Sequence, residues 1–181
     1  MKKHAIAAVI IGIIAVLGAD AGAQQKQKSV MDYYLDLPDE AFYCEMKPEN
    51  LSKEFKKKQI RKSNLRAGYI LARSENMPLE VALFTDAYLG ITVVAVNRVC
   101  GEGCMCNYFR LLRPSGKGAW ADFDAFPSSD EIMKAAGLTE PDYELVLPEI
   151  GTDIRVVSRD KKKLLALIGW SGGQFAIKRK K

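Results

Sequence analysis

Asp122 and Asp124 alternate in Trp120-Ala121-Asp122-Phe123-Asp124, so a strand here would carry both carboxylates and the Trp120 indole on one face. A pair of carboxylates beside an aromatic platform is the equipment of glycoside hydrolysis, one acting as general acid and the other as base or nucleophile. That chemistry needs the carboxyl groups on opposite sides of the bond, about 5–5.5 Å apart for retention or about 6.5–9.5 Å for inversion. Neighbours on one strand face point the same way, so the expectation is a solvated outer face, with calcium ligation as the other use of such oxygens. Asp39 and Glu40 are further carboxylates that such a hydrolase could use.

The only histidine is His4, and it lies in a segment expected to be removed. Met1-Lys2-Lys3-His4 is a short basic start, followed by an apolar run from Ala5 to Ala19. Ala21-Gly22-Ala23 then offers small residues where a signal peptidase reads. The run is shorter than the roughly 20 apolar residues of a spanning helix. Cleavage is predicted after Ala23, leaving 158 residues with 25 basic and 21 acidic side chains and no imidazole. Ser-His-Asp and Cys-His nucleophile activation and the histidine-containing zinc sites are thereby excluded.

Cys44, Cys100, Cys104 and Cys106 all fall in the mature chain, and an exported chain pairs an even set of cysteines as disulfides. Joining Cys104 to Cys106 would close a strained ring. The preferred pairing is Cys100 with Cys106 and Cys44 with Cys104. The competing use of these sulfurs, with Met46 and Met105, is a soft copper(I) site. The exported context favours disulfides, and the expectation is no metal and no cofactor.

Lys53, Lys56, Lys57, Lys58, Arg61 and Lys62 dominate a helical candidate spanning Pro48 to Lys62, whose apolar anchors are Leu51, Phe55 and Ile60. Their summed potential would suit an anionic envelope polymer, a membrane surface or another envelope protein. No aromatic residues interleave with the lysines as single-strand nucleic-acid binding requires, so no specific nucleic acid is expected. Trp120 and Trp170 are the two aromatic residues singled out as ligand platforms, against the alternative that they fill the core.

Leu147-Pro148-Glu149-Ile150-Gly151 resembles the LPxTG sorting pentapeptide of Gram-positive surface proteins. It departs from it at Ile150, where threonine belongs; Arg155, Arg159, Asp160 and Lys161 to Lys163 stand where a hydrophobic span should begin, and the later stretch Leu164 to Ile177 is broken by Ser171-Gly172-Gly173-Gln174. Pro148 is therefore read as a strand-ending residue. Asn50-Leu51-Ser52 fits an N-glycosylation acceptor but carries little weight in a chain with a bacterial-looking start.

The elements that would position these groups follow from periodicity. Val30 to Leu37 reads as a short amphipathic helix ended by Pro38. Residues 24–66 form an N-terminal helical, lysine-rich segment packed on a sheet, and residues 67–181 an antiparallel β domain. Strands are predicted over 68–73, 79–85, 91–100, 106–113, 119–126, 143–147, 153–158, 164–170 and 174–178. Most connections are too short for parallel crossovers. Ser128 and Glu131 form a capping box that starts an inserted helix over 128–137, ended at Gly137. The fold class is thus α+β and mostly antiparallel β: a meander sandwich or barrel-like sheet with two or three short helices, mainly N-terminal. The function expected is an exported, disulfide-stabilised, non-catalytic binding or structural module of the bacterial envelope, with no residue assigned a catalytic role. The alternative is a small carboxylate-based envelope hydrolase acting on glycan.

Overall fold

The computed structural model describes residues 28–43, 51–74, 77–98, 108–116 and 118–178. The expected signal segment 1–23 and all four cysteines, with both proposed disulfides and the copper alternative, lie outside the described residues.

The strand-rich body consists of two antiparallel sheets. The first is a six-stranded meander of β1 (Ile60–Asn64), β2 (Tyr69–Ser74), β3 (Met77–Asp86), β4 (Ile91–Arg98), β5 (Tyr108–Pro114) and β6 (Trp120–Asp122), paired in chain order. The second is a four-stranded meander of β7 (Glu144–Val146), β8 (Asp153–Val157), β9 (Leu164–Ser171) and β10 (Gln174–Lys178). Three α-helices are described: α1 (Val30–Asp36), α2 (Lys53–Gln59) and α3 (Ser129–Ala136). A 3-10 turn, Asp39–Ala41, follows α1. The expected class, α+β with mainly N-terminal helices, is the observed one, and both sheets are open rather than closed into a barrel.

Strand alternation explains the layering, because successive side chains in a strand point to opposite faces. On the six-stranded sheet, Tyr69, Ala82, Phe84, Val93, Ala95 and Leu111 face the four-stranded sheet, meeting Ile154, Val156, Ile168, Trp170 and Phe175. Ile70, Leu79, Val81, Val94, Val96 and Leu112 face the other way, onto Val30, Tyr34, Leu37, Ala41 and Phe42. Val93, Val94, Ala95 and Val96 are all 0% exposed, so the middle of β4 is enclosed on both faces.

The interior between the sheets is largely aromatic: the Phe175 ring lies 4.9 Å from Phe84 and 4.8 Å from Trp170. The Trp170 Nε1–H donates to the Thr85 carbonyl at 3.2 Å, tying β9 to β3. Beyond Asp122 the chain leaves the ladder and crosses towards the second sheet. There the Phe175 N–H donates to Ala125 O at 3.2 Å, and Phe123 and Phe126 enter the inter-sheet core. The strand predicted over 119–126 is therefore cut to three residues.

Two further boundaries were tested by the fold. The helix predicted to run to Lys62 ends at Gln59, and Ile60 begins β1, paired through a bulge with β2. Seven helical residues with few apolar anchors are too few to continue against the ladder offered by β2, so tertiary pairing decides the boundary. The inserted helix has the predicted capping box, Ser128 with Glu131, and stops where Gly137 takes φ +70°. Leu138 N–H returns to Met133 O, completing the left-handed cap.

One polar cluster joins the two sheets. Glu80 accepts from Tyr69 OH at 3.2 Å, Asn97 Nδ2 at 3.0 Å and the Leu147 N–H at 3.2 Å. Asn97 Nδ2 also donates to Leu145 O at 2.7 Å, so β3 and β4 hold both β7 and the residue after it. Burial, and then the Glu80 carboxylate, push the Tyr69 hydroxyl well above the usual tyrosine range. Glu80→Ala takes the acceptor from Tyr69 OH and the Leu147 N–H and one of two from Asn97 Nδ2, and should destabilise the protein by about 1.5–3 kcal/mol in urea unfolding. An unchanged midpoint would show that the cluster adds nothing to sheet docking.

Candidate functional site

A cavity of about 390 Å³ lies at the end where β4 stops and β5 starts. Its apolar wall comes from Tyr108 and Phe109 of β5, Phe126 and Pro127 before α3, Ile132 of α3, and Leu145 of β7. Pro141 and Tyr143, on the segment between α3 and β7, close the other side. The capping box at Ser128 and the left-handed stop at Gly137 fix where α3 begins and ends, and so where Ser129 and Ile132 stand.

Asn97, Arg98, Ser129, Tyr143 and Glu144 bring polar groups to this wall. Ser129 Oγ lies 3.2 Å from Tyr143 OH. Asn97 has its amide nitrogen committed to Glu80 and Leu145 O. Arg98 is 3% exposed, with its guanidinium 5.2 Å from the Tyr108 ring centre, and Glu144 has Lys161 Nζ at 3.3 Å. Concave, mostly apolar places with a small number of fixed polar groups are where small molecules bind. A second cavity of about 250 Å³, also bordered by Leu145, is charged, with Glu80, Glu149, Arg155 and Lys161 on its wall. A third, wider depression of about 350 Å³ lies over Phe126 and Phe175, with Asp124 and Glu131 at its edge.

The basic residues singled out in the sequence do not act as one face. Lys56 is buried at 5% exposure, donating to Leu37 O at 2.6 Å and facing Asp39 at 3.2 Å. Its carbonyl accepts from Tyr34 OH at 2.8 Å, so this lysine clamps α2 onto α1 and is unavailable to a polymer. Burial raises the Tyr34 hydroxyl far above its ordinary range. Lys53 is exposed but pairs with Asp36 at 2.8 Å, a hydrogen bond that pulls the Asp36 carboxyl below the usual carboxylate range. Lys62 pairs with Glu149. Lys57, Lys58 and Arg61 remain exposed with no carboxylate partner among the described residues.

The two tryptophans are structural in their surroundings. Trp170, 8% exposed, sits between Phe84, Phe123 and Phe175 in the core between the sheets. Trp120 is half-buried; its Nε1–H donates to Asp36 O at 2.9 Å and its ring meets Tyr33, joining β6 to α1. Among the carboxylates, Asp122 accepts from Arg110 Nε at 2.8 Å, and Asp39 accepts from the Leu51 N–H at 2.9 Å besides facing Lys56. Glu40 and Asp124 are exposed, and none of the three cavities is lined by two of these four acids.

Sequence reasoning passed over Asn97, Arg98, Ser129 and Tyr143 as site residues. The one local signal was a polar pair, Asn97-Arg98, closing the apolar run Ile91 to Val96 of a doubly covered strand. Comparison with protein-family models, with curated proteins and with solved structures gave no significant match to this chain. Among the described residues, no helix is long and apolar enough to cross a membrane.

The division of the lysines is open to direct test. Lys56→Met removes the ammonium from Leu37 O, Leu35 O and Asp39, and should cost about 3 kcal/mol in chemical denaturation. Lys57→Glu and Lys58→Glu should each stay within about 0.5 kcal/mol of the parent. Equal effects at all three positions would contradict the buried placement of Lys56.

Proposed function

We propose that this chain is an exported, disulfide-stabilised binding module of the bacterial envelope that performs no catalytic step, and that it holds a small ligand in the cavity beside α3. The observation that carries this reading is the cavity itself: about 390 Å³, walled by aromatic rings and proline, with a few polar atoms fixed by their own hydrogen bonds. Pockets that bind small molecules span about 300–1,000 Å³ and have this mixture of lining groups. Export is supported by the basic start, apolar run and small residues of 1–23, and disulfide pairing by four cysteines in the exported part.

The glycan-hydrolase alternative has less support. Asp39 and Asp122 are engaged by Lys56 and Arg110, and a hydrolytic pair must share one cleft around the scissile bond. Contact with an anionic polymer or membrane surface rests on Lys57, Lys58 and Arg61 alone, a small charge for steering and a smaller one for affinity.

Intact mass of the protein taken from its own envelope fraction, followed by a fragment screen read by heteronuclear NMR, tests the proposal. The expected mass is that of residues 24–181 less four hydrogens, and the expected hits shift the resonances of Ser129, Ile132 and Tyr143. An unprocessed chain with free thiols would overturn the export and disulfide reading. Glycan cleavage that disappears in Asp122→Asn would overturn the non-catalytic one.

A further inference from the structure

We infer that the cavity beside α3 takes a planar aromatic molecule of about two fused rings bearing one hydrogen-bonding substituent. This inference rests on the cavity being the binding place.

Size sets the first limit. A dry apolar cavity of about 150 Å³ holds a benzene ring, so a space of about 390 Å³ suits a bicyclic ring system with a substituent. Shape sets the second. Phe109 and Phe126 are already fixed against each other, with ring centres 5.0 Å apart and planes 45° apart. Tyr108, Tyr143 and two prolines extend that rigid wall. Rings and prolines lose little conformational freedom on binding, and aromatic pairs gain about 0.5–1.5 kcal/mol beyond the area they bury.

The polar groups argue against the other chemistries of this size. A polyol such as a sugar needs several free donors and acceptors, whereas the Asn97 amide nitrogen is spent on Glu80 and Leu145 O, Tyr108 OH accepts from Arg110 at 3.2 Å, Glu144 faces Lys161 at 3.3 Å and the Arg98 guanidinium lies over the Tyr108 ring. A cationic ligand seeking an aromatic face would meet guanidinium groups already 5.2 and 5.8 Å from the Tyr108 ring centre. The Ser129 and Tyr143 hydroxyls, 3.2 Å apart, share one hydrogen bond between two donors. At this pair one hydroxyl hydrogen and several lone pairs remain for a ligand substituent.

The test compares 2-naphthol with 2-decalol, its saturated counterpart, on the full mature chain by titration calorimetry and heteronuclear NMR. One-to-one binding of 2-naphthol, at least about tenfold tighter than that of 2-decalol, is expected, with shifts centred on Phe126, Ser129 and Tyr143. Tyr143→Leu, which keeps apolar bulk but removes the ring and hydroxyl, should reduce that preference several-fold. Phe126→Leu gives the same readout if the first variant does not fold. Equal or tighter binding of 2-decalol at these residues would overturn the aromatic class while leaving the cavity a binding place. Failure of every compound in a chemically varied fragment library to shift these residues would instead remove the binding place itself.

Discussion

The six-stranded sheet carries apolar side chains on both faces, and neither face can be left in water. Val94 and Val96 point one way while Val93 and Ala95 point the other, all of them fully enclosed. Each buried valine contributes about 1.5–3 kcal/mol relative to exposure, so the sheet demands two coverings. The N-terminal helices supply one through Tyr34, Leu37 and Phe42. The second sheet supplies the other through Ile154, Ile168, Trp170 and Phe175. An antiparallel sheet with one wet face would need only one.

The polar links follow from those coverings. Docking α1 leaves the carbonyls at its C-terminal end facing α2, and the Lys56 ammonium answers Leu37 O there, with Asp39 balancing the charge. Docking the second sheet brings the three-residue β7 over the end of β3 and β4, where Glu80 and Asn97 hold its backbone. The cavity lies where β7, so held, meets the end of β4, the start of β5 and α3. Architecture and candidate site thus have one origin, the need to cover a sheet that is apolar on both sides.

Much of the architecture was legible in local pattern. The β-branched run within 91–100 marked the strand observed as β4 (Ile91–Arg98), and Ser128, Glu131 and Gly137 marked both ends of α3. What stayed hidden was decided by contacts distant in sequence. Ile60 to Asn64 has a composition that continues a lysine-rich helix, and only the partner strand at Tyr69 to Ala72 makes it β1. Lys56 cannot be told from Lys57 or Lys58 by composition; the position of Tyr34 and Asp39 selects it. The cavity joins Asn97 and Arg98 to Ser129 and Tyr143, residues that no single periodic segment connects. Trp120 and Trp170 illustrate the reverse case, where a conspicuous side chain is consumed by packing.

Amide hydrogen exchange followed residue by residue tests the central claim most directly. If the doubly covered sheet is the foundation, the amides of Val93 to Val96 are the slowest in the protein and open only with global unfolding. The amides of β6, β7 and the segment around α3 exchange through smaller openings at lower free energy. Exchange of Val93 to Val96 as fast as that of β6 or β7 would contradict the account, because one covering could then be lost without the sheet that requires it.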